Sequence, residues 1–561
     1  MVTMLQNHSI FGMTTRVILL CFYSIKHNNT DGKATAIQKL IRYDFYLISA
    51  LLLLQIASAT TYIASTPGEI QSYTDILQSG DTLLVQEGQY DMNWNIRDLM
   101  GTSTDWIVIQ ALTDSVIING IAYDNVIDVY NCHYVELIGF EITDSYGAGG
   151  IDGIKFRTTS DHFVMEDLHI HEITGVGISA NPGSQSFTYL TIQYCHIHDI
   201  DSVGEGMYLG NHDGLSPVHH CVVAFNWVHD CHPHKGIQFK RGTYLNIIQD
   251  NVVYNCDETG IVLYKTDQMS ANDNNIVRRN VIWNAPEGIF AVGQTNIDNN
   301  VIFDCDYGIN VRNYGSWGME DLYIRNNTIY SCPATCLRLD DWNNANGEMV
   351  CINNACYQDN ISLSAIQAPD GIGPGYVAYN RHYGQSQVSG STLGNSPVNE
   401  FINPNIMPGI IDLYPKNGAT LIDSGTSLYG APSDDFNWQN RPFNGHWDVG
   451  AYEWSQSTNP GWQIQEGFKE IYSQILETET IETCGDNICL IISGNAVFFQ
   501  NLTPGTIIKI YDVLGKLIHN SGKILCDNYK WNTNNIASGL YFCSIRSSYI
   551  QRVFAKITII K

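Results

Sequence analysis

His212 and Asp213, then His234, Lys240 and Arg241, then Tyr264, Lys265 and Asp267, gather bases, cations and a phenol in a chain that is otherwise strongly acidic. Such a set suits removal of a proton beside a carboxylate. A cation must neutralise the carboxylate, a base must take the proton, and an acid must protonate the leaving oxygen or the opposite face. Arg241 or Lys240 could supply the cation, with His212 as base and Tyr264 as acid. A Lys desolvated among other cations could serve as base instead. These residues lie 28 and 24 positions apart (His212, Lys240, Tyr264), so a repeat must bring them together.

That repeat is visible along the chain. Asn226-Trp227-Val228-His229-Asp230-Cys231 returns as Asn251-Val252-Val253-Tyr254-Asn255-Cys256, and Gly236-Ile237-Gln238-Phe239-Lys240 as Gly260-Ile261-Val262-Leu263-Tyr264. Short alternating strands and polar turns recurring in this way predict a stacked β-solenoid. Its anchors are Ile142, Ile170, Ile197, Val228, Val253, Ile282, Ile302, Ile329 and Cys356, at intervals of 20 to 31. A column of Asn226, Asn251, Asn280, Asn300, Asn327 and Asn354 is expected to bond coil to coil and satisfy amides buried in the turn. Cys231, Cys256, Cys305 and Cys332 share one slot and read as stacked thiols; Cys526 and Cys543 are a weaker candidate pair.

Aligning the Gly-led strands sends Ile154/Phe156 through Leu337/Leu339 inward, and period two then sends the alternate residues outward. The outward strip holds Arg157, Lys240 and Arg312, plus Lys155 and Arg338, with Tyr208, Gln238, Tyr264 and Phe290. Coils stack about 4.8 Å apart, so cations three coils apart would stand roughly 14 Å apart, the reach of a few sugars. Arg157, Tyr208, Asp213, His234, Gln238, Lys265, Phe290 and Arg312 are therefore candidate substrate contacts, with aromatic rings against sugar faces and cations against carboxylates or sulfates. The plainer alternative is a solvated sheet face, where Lys, Arg and Tyr are common.

The 561 residues carry 29 basic and 56 acidic side chains, net −27, which argues against nucleic acid as a partner. His169-Ile170-His171 and His196-Ile197-His198 resemble metal pairs, but the phrase recurs at one wall and could simply stack; no metal ligand is assigned. Calcium in acidic turns near Asp267, Asp273 or Asp304 stays open, and no other cofactor is expected. Lys39 to Ala59 carries a basic flank, a short apolar run and an Ala-x-Ala site, as an export signal does; no membrane span should remain after its removal.

Over roughly Ile107 to Tyr357 the chain resembles the right-handed parallel β-helix proteins, a group that includes pectate-lyase-like enzymes and mannuronan C5-epimerases. His234 to Arg241, followed by Thr259 to Tyr264, is closest in flavour to the epimerases. Where those enzymes carry Asp-Pro-His, this chain has Gly210-Asn211-His212-Asp213. The pattern of polygalacturonase-like hydrolases is not evident. Ile507 to Ile518, Ile536 to Phe542 and Arg552 to Lys561 resemble the type A C-terminal sorting domain of the type IX secretion system, found in Bacteroidota. The resemblances imply an all-β chain with an N-terminal extension and signal (1–59), a right-handed parallel β-helix (60–363), a closing segment (364–454), a linker (455–487) and a small β-sandwich sorting domain (488–561). They imply passage through the type IX machinery to the outer surface or medium, and action on an extracellular polysaccharide as a lyase or epimerase. Glycan binding without catalysis, or a purely structural surface role, is the alternative.

Overall fold

A computed structural model describes residues 59–465 and 489–559, apart from 114, 122–123, 145–149, 203, 267–273, 462–463 and short turns of the tail. All of the expected export signal but Ala59, together with Asp267, Asp273 and Cys526, lies outside the described residues.

Among the described residues three parallel walls of 15, 13 and 12 short strands make about eleven turns, each coil adding a strand to each wall, with Phe187–Thr188 and Val218–His219 as extra strands of the first. The first wall runs from Thr61–Ala64 to Tyr376–Ala378 and the second from Gly88–Asp91 to Ser391–Leu393. The third runs from Trp94–Arg97 to Gln385–Ser386. In the third wall Ile154, Ile178, Met207, Ile237, Ile261, Ile289, Ile309 and Leu337 are in-register neighbours. All eight are fully buried, as are their partners two residues on, and they join one continuous apolar core. Gly236 opens one of these strands because nothing larger fits. A Cβ there would stand 2.6 Å from Val253 Cγ1 and 2.7 Å from the Gly260 carbonyl.

From Phe225 onward the bend between the first and second walls is made by one residue in the left-handed region followed by one buried Asn. Phe225, Asp250, Arg279, Asn299, Asn326 and Asn353 hold φ between 54° and 59°. Each such non-glycine residue costs about 1–2 kcal/mol. The Asn that follows offsets this. Asn280 Nδ2 donates to Ile248 O (3.0 Å) and Asn300 Oδ1 (3.0 Å), while its Oδ1 accepts from the Asn251 backbone N–H (3.0 Å) and Nδ2 (2.9 Å). The ladder runs from Asn226 to Asn354 as expected and continues to Asn380, 2.9 Å further on. The cysteine slot holds buried, unbridged thiols at Cys231, Cys256, Cys305 and Cys332.

A short helix, Pro67–Thr74, packs on the first coils: Ile70 and Thr74 are buried, and Trp94 Nε1 donates to Thr74 Oγ1 at 3.1 Å. Thr66 caps it by accepting from the Glu69 N–H. At the other end the closing segment runs back along the outside of the second wall. Phe401, Leu413, Tyr414, Phe436 and Tyr452 pack on the outward rings of Tyr254, Trp283, Phe303, Tyr330 and Tyr357. Its charged residues are structural: Arg441 pairs with Glu453 at 2.9 Å, both buried, and Trp438 Nε1 donates to Asp250 Oδ1 at 3.2 Å. The tail folds as antiparallel sheets of three and four strands sharing one core that includes Phe499, Ile510, Trp531 and Ile545.

Replacing Asn280 by Ala would strand the Asn251 N–H and the Ile248 carbonyl inside the stack. At about 1–3 kcal/mol for each unsatisfied group, equilibrium urea unfolding should show a loss of about 3 kcal/mol or more. A loss under about 1 kcal/mol would show that the ladder is not what fixes the coils.

Candidate functional site

Two columns of side chains leave the outer face of the third wall. One comprises Lys155, Ser179, Tyr208, Gln238, Val262, Phe290, Asn310 and Arg338, as the strand register requires. The other, two residues further along each strand, comprises Arg157, Asn181, Gly210, Lys240, Tyr264, Val292, Arg312 and Asp340. The outward assignment therefore holds, but the middle of the face is covered. Val262, Tyr264, Phe290 and Val292 form an apolar cluster separate from the solenoid core, with Trp317 packed on it. Trp317 sits on a tight turn closed by backbone bonds from Tyr314 N to Trp317 O (3.1 Å) and from Trp317 N to Tyr314 O (3.0 Å). The Tyr264 ring lies 4.9 Å from Tyr314 and 5.9 Å from Trp317, and Tyr264 keeps 6% exposure.

Around this lid the four candidate catalytic residues come together. Lys240 Nζ stands 4.5 Å from the Tyr208 ring centre and 5.0 Å from that of Tyr264. The Arg241 guanidinium is 5.1 Å from the Trp317 ring centre, and the His212 ring is 6.2 Å from it. His212 and Asp213 occupy an exposed turn, in which Asp213 Oδ1 accepts from the Leu215 N–H at 2.9 Å. Among the described residues no carboxylate pairs with Lys240. Burial pushes its ammonium down to about 8; Lys235 adds to the shift, and Glu205 and Glu258 oppose it. The surrounding rings favour the cation, yet desolvation wins. Burial, then the neighbouring Tyr314, pushes the Tyr264 phenol well up, and burial with Glu205 and Asp213 pushes Tyr208 up to about 12. Tyr264 is thus held as a neutral phenol.

The flanks depart from the expected open cationic track. Arg157 Nε bonds Asp128 at 2.8 Å, Lys155 pairs with Asp152 at 2.6 Å, Arg312 with Glu287 at 2.7 Å and Arg338 with Asp340 at 2.7 Å. Lys265 is paired with Glu320 at 3.0 Å, and His234 faces Glu258 at 3.1 Å. Gln238 is fully buried and donates to Glu205 Oε1 at 2.6 Å, and Phe290 is 3% exposed beneath Arg312 and the Trp317 turn. Neither Gln238 nor Phe290 is on an open surface, because neighbouring side chains and the lid cover them. Sequence reasoning misses Trp317, Tyr314, Glu205 and Glu258. The one signal for the lid is a pair of aromatics each followed by glycine, Tyr314-Gly315-Ser316-Trp317-Gly318, in the turn after a third-wall strand.

With the fold and site in view, residues 96–357 match the family model described as periplasmic copper-binding protein (NosD). Residues 490–561 match the secretion system C-terminal sorting domain. The chain is therefore an exported parallel β-helix protein, carried by the type IX route to the cell surface or the extracellular space. Solved structures share the solenoid at low identity. An alginate lyase from Paenibacillus sp. str. FPU-7 is 17% identical over 47% of this chain and 97% of its own, with a TM-score of 0.39. The pectate lyase Pel9A is 11% identical over 71% and 97%, at 0.43. The A-module of the Azotobacter vinelandii mannuronan C-5 epimerase AlgE4 is 15% identical over 60% and 98%, at 0.42. No curated protein matches the chain.

Carbon-13 methylation of the lysines, with Lys240→Arg to assign the signal, should give a Lys240 titration midpoint of about 8. Trp317→Ala should admit water and raise it. A wild-type midpoint at the ordinary value of about 10.4 would show that the pocket does not desolvate the amine.

Proposed function

We propose that the protein acts on an extracellular acidic polysaccharide by removing the C5 proton of a uronate, as a lyase or an epimerase. The observation that supports this is Lys240, an amine held between two aromatic rings with its pKa lowered to about 8. A lysine tuned in that way is partly neutral near pH 8 and can act as a base. Arg241, beside Trp317, pairs with the uronate carboxylate and stabilises the charge that develops as the proton leaves. The C5–H electrons then form the C4=C5 double bond while the C4–O bond breaks. His212, on the exposed turn, gives the leaving oxygen its proton. In the epimerase variant that C4–O bond stays intact and a proton returns to C5 from the other face. Trp317 offers its indole to a sugar ring.

A second reading, glycan binding without turnover, is favoured by the paired flanks, since Arg157, Arg312 and Arg338 already face carboxylates. The matched family's description names copper. Among the described side chains, the donors that suit such an ion are imidazoles on the second wall, not the residues around Trp317, and no step above runs through a metal.

Incubation of the purified protein with alginate, polygalacturonate and glycosaminoglycans should yield unsaturated uronate by absorbance, or C5 inversion by NMR. The rate should rise from pH 7 to 9 with a midpoint of about 8, because only the neutral Lys240 accepts the proton. Lys240→Ala should lower kcat by at least about 100-fold. Binding with neither product on any of these polymers supports the second reading and rejects the first.

A further inference from the structure

The second wall carries an outward patch that the uronate chemistry does not use. Glu141, His169, His196 and Trp227 are in-register neighbours, as are Thr143, His171 and His198; His229 follows on the next strand. Both imidazoles of each His-x-His therefore leave the same face, and coil spacing brings five rings together. His171, His198 and His229 lie in one parallel stack that continues into Tyr254 and Trp283. The closing segment covers Tyr254 and Trp283 and leaves the histidines half-buried.

The nitrogens meet head to head. His169 Nε2 is 2.8 Å from His198 Nε2, and His196 Nε2 is 2.7 Å from His229 Nε2. Ring nitrogens of His169, His196 and His198 all lie within 4.8 Å of one another. A simple stacking column does not need such contacts. Two nitrogens bound to one ion at about 2.0–2.1 Å stand about 2.8–3.4 Å apart, close to what is seen. The outer atoms point the same way: His198 Nδ1 bonds Asp199 at 2.8 Å and His229 Nδ1 bonds Asp230 at 2.6 Å. A carboxylate on Nδ1 fixes the proton there and turns the Nε2 lone pair toward the cluster, as in carboxylate–histidine–metal arrangements.

We propose that His169, His196 and His198 bind one divalent transition-metal ion through ring nitrogens, with His229 completing the set and Asp199 and Asp230 orienting the rings. Imidazole donors without thiolate select a borderline ion, and the general affinity order places Cu²⁺ above Zn²⁺. The patch lies on a different wall from Lys240, so the inference stands or falls apart from the uronate reading.

The test uses the untagged protein, stripped with chelator and dialysed against CuSO₄ or ZnSO₄. Elemental analysis should find one Cu²⁺ per chain, its electron paramagnetic resonance should show nitrogen couplings, and binding should raise the unfolding midpoint. His169→Gln and His198→Gln, made singly to keep a polar side chain in each slot, should each weaken Cu²⁺ binding beyond the 10–100-fold typical of an outer partner. Asp199→Asn, which leaves every imidazole in place, should weaken it by about 10-fold. Failure of the wild-type protein to bind Cu²⁺, or unchanged affinity in all three variants with native circular dichroism, overturns the proposal.

Discussion

A strained bend, filled by an amide ladder over half of the solenoid's coils, underlies this protein. From Phe225 to Asn353 each coil turns from first to second wall through a left-handed residue, and the buried polar groups exposed by that turn are closed by the next Asn in the stack. Each amide takes its partner from the coil above and gives one to the coil below, so a slip of one residue in any coil would leave two others unsatisfied. The ladder thereby fixes register, and register fixes which side chains share a face.

Once the register is fixed, the three outer faces are free to differ. The second wall stacks aromatic rings under the closing segment for part of its length and leaves imidazoles half-buried for the rest. The third wall is crossed by a turn whose Trp317 seals an apolar panel against Tyr264 and Phe290. That panel depresses Lys240, since removing water costs an ammonium more than two ring faces return. An acidic chain also neutralises its own cations: nearly every outward Arg or Lys of the third wall has a carboxylate one coil away or on its own strand.

Much of this architecture is legible in the amino-acid sequence. Asn226 to Asn354 announce themselves because each coil poses the same hydrogen-bonding problem, and the Gly-led strands announce their inward residues because larger residues clash at Gly236. Asn380, at the end of the ladder, is hidden because the residue two positions on, in register with Cys356, is His382 rather than an apolar anchor. The helix at Pro67–Thr74 escapes a reading tuned to strands, although Thr66 and Pro67 form an ordinary start signal. The ion pairs escape for a simpler reason: Asp128 is the register partner of Lys155 and neighbours Arg157, but it lies one coil before the first of the Gly-led strands that align. Burial of Tyr264 and Phe290 is beyond the reach of periodicity, since it depends on how a turn of irregular length folds back.

A crystal structure of the Lys240→Ala protein soaked with a uronate tetrasaccharide bears most directly on whether stacked coils assemble one reactive cleft. A sugar ring against Trp317, its carboxylate within hydrogen-bonding distance of Arg241 and its C5 hydrogen facing the vacated amine position is the expected result. A saccharide bound elsewhere on the solenoid, with the Trp317 cleft empty, would contradict it.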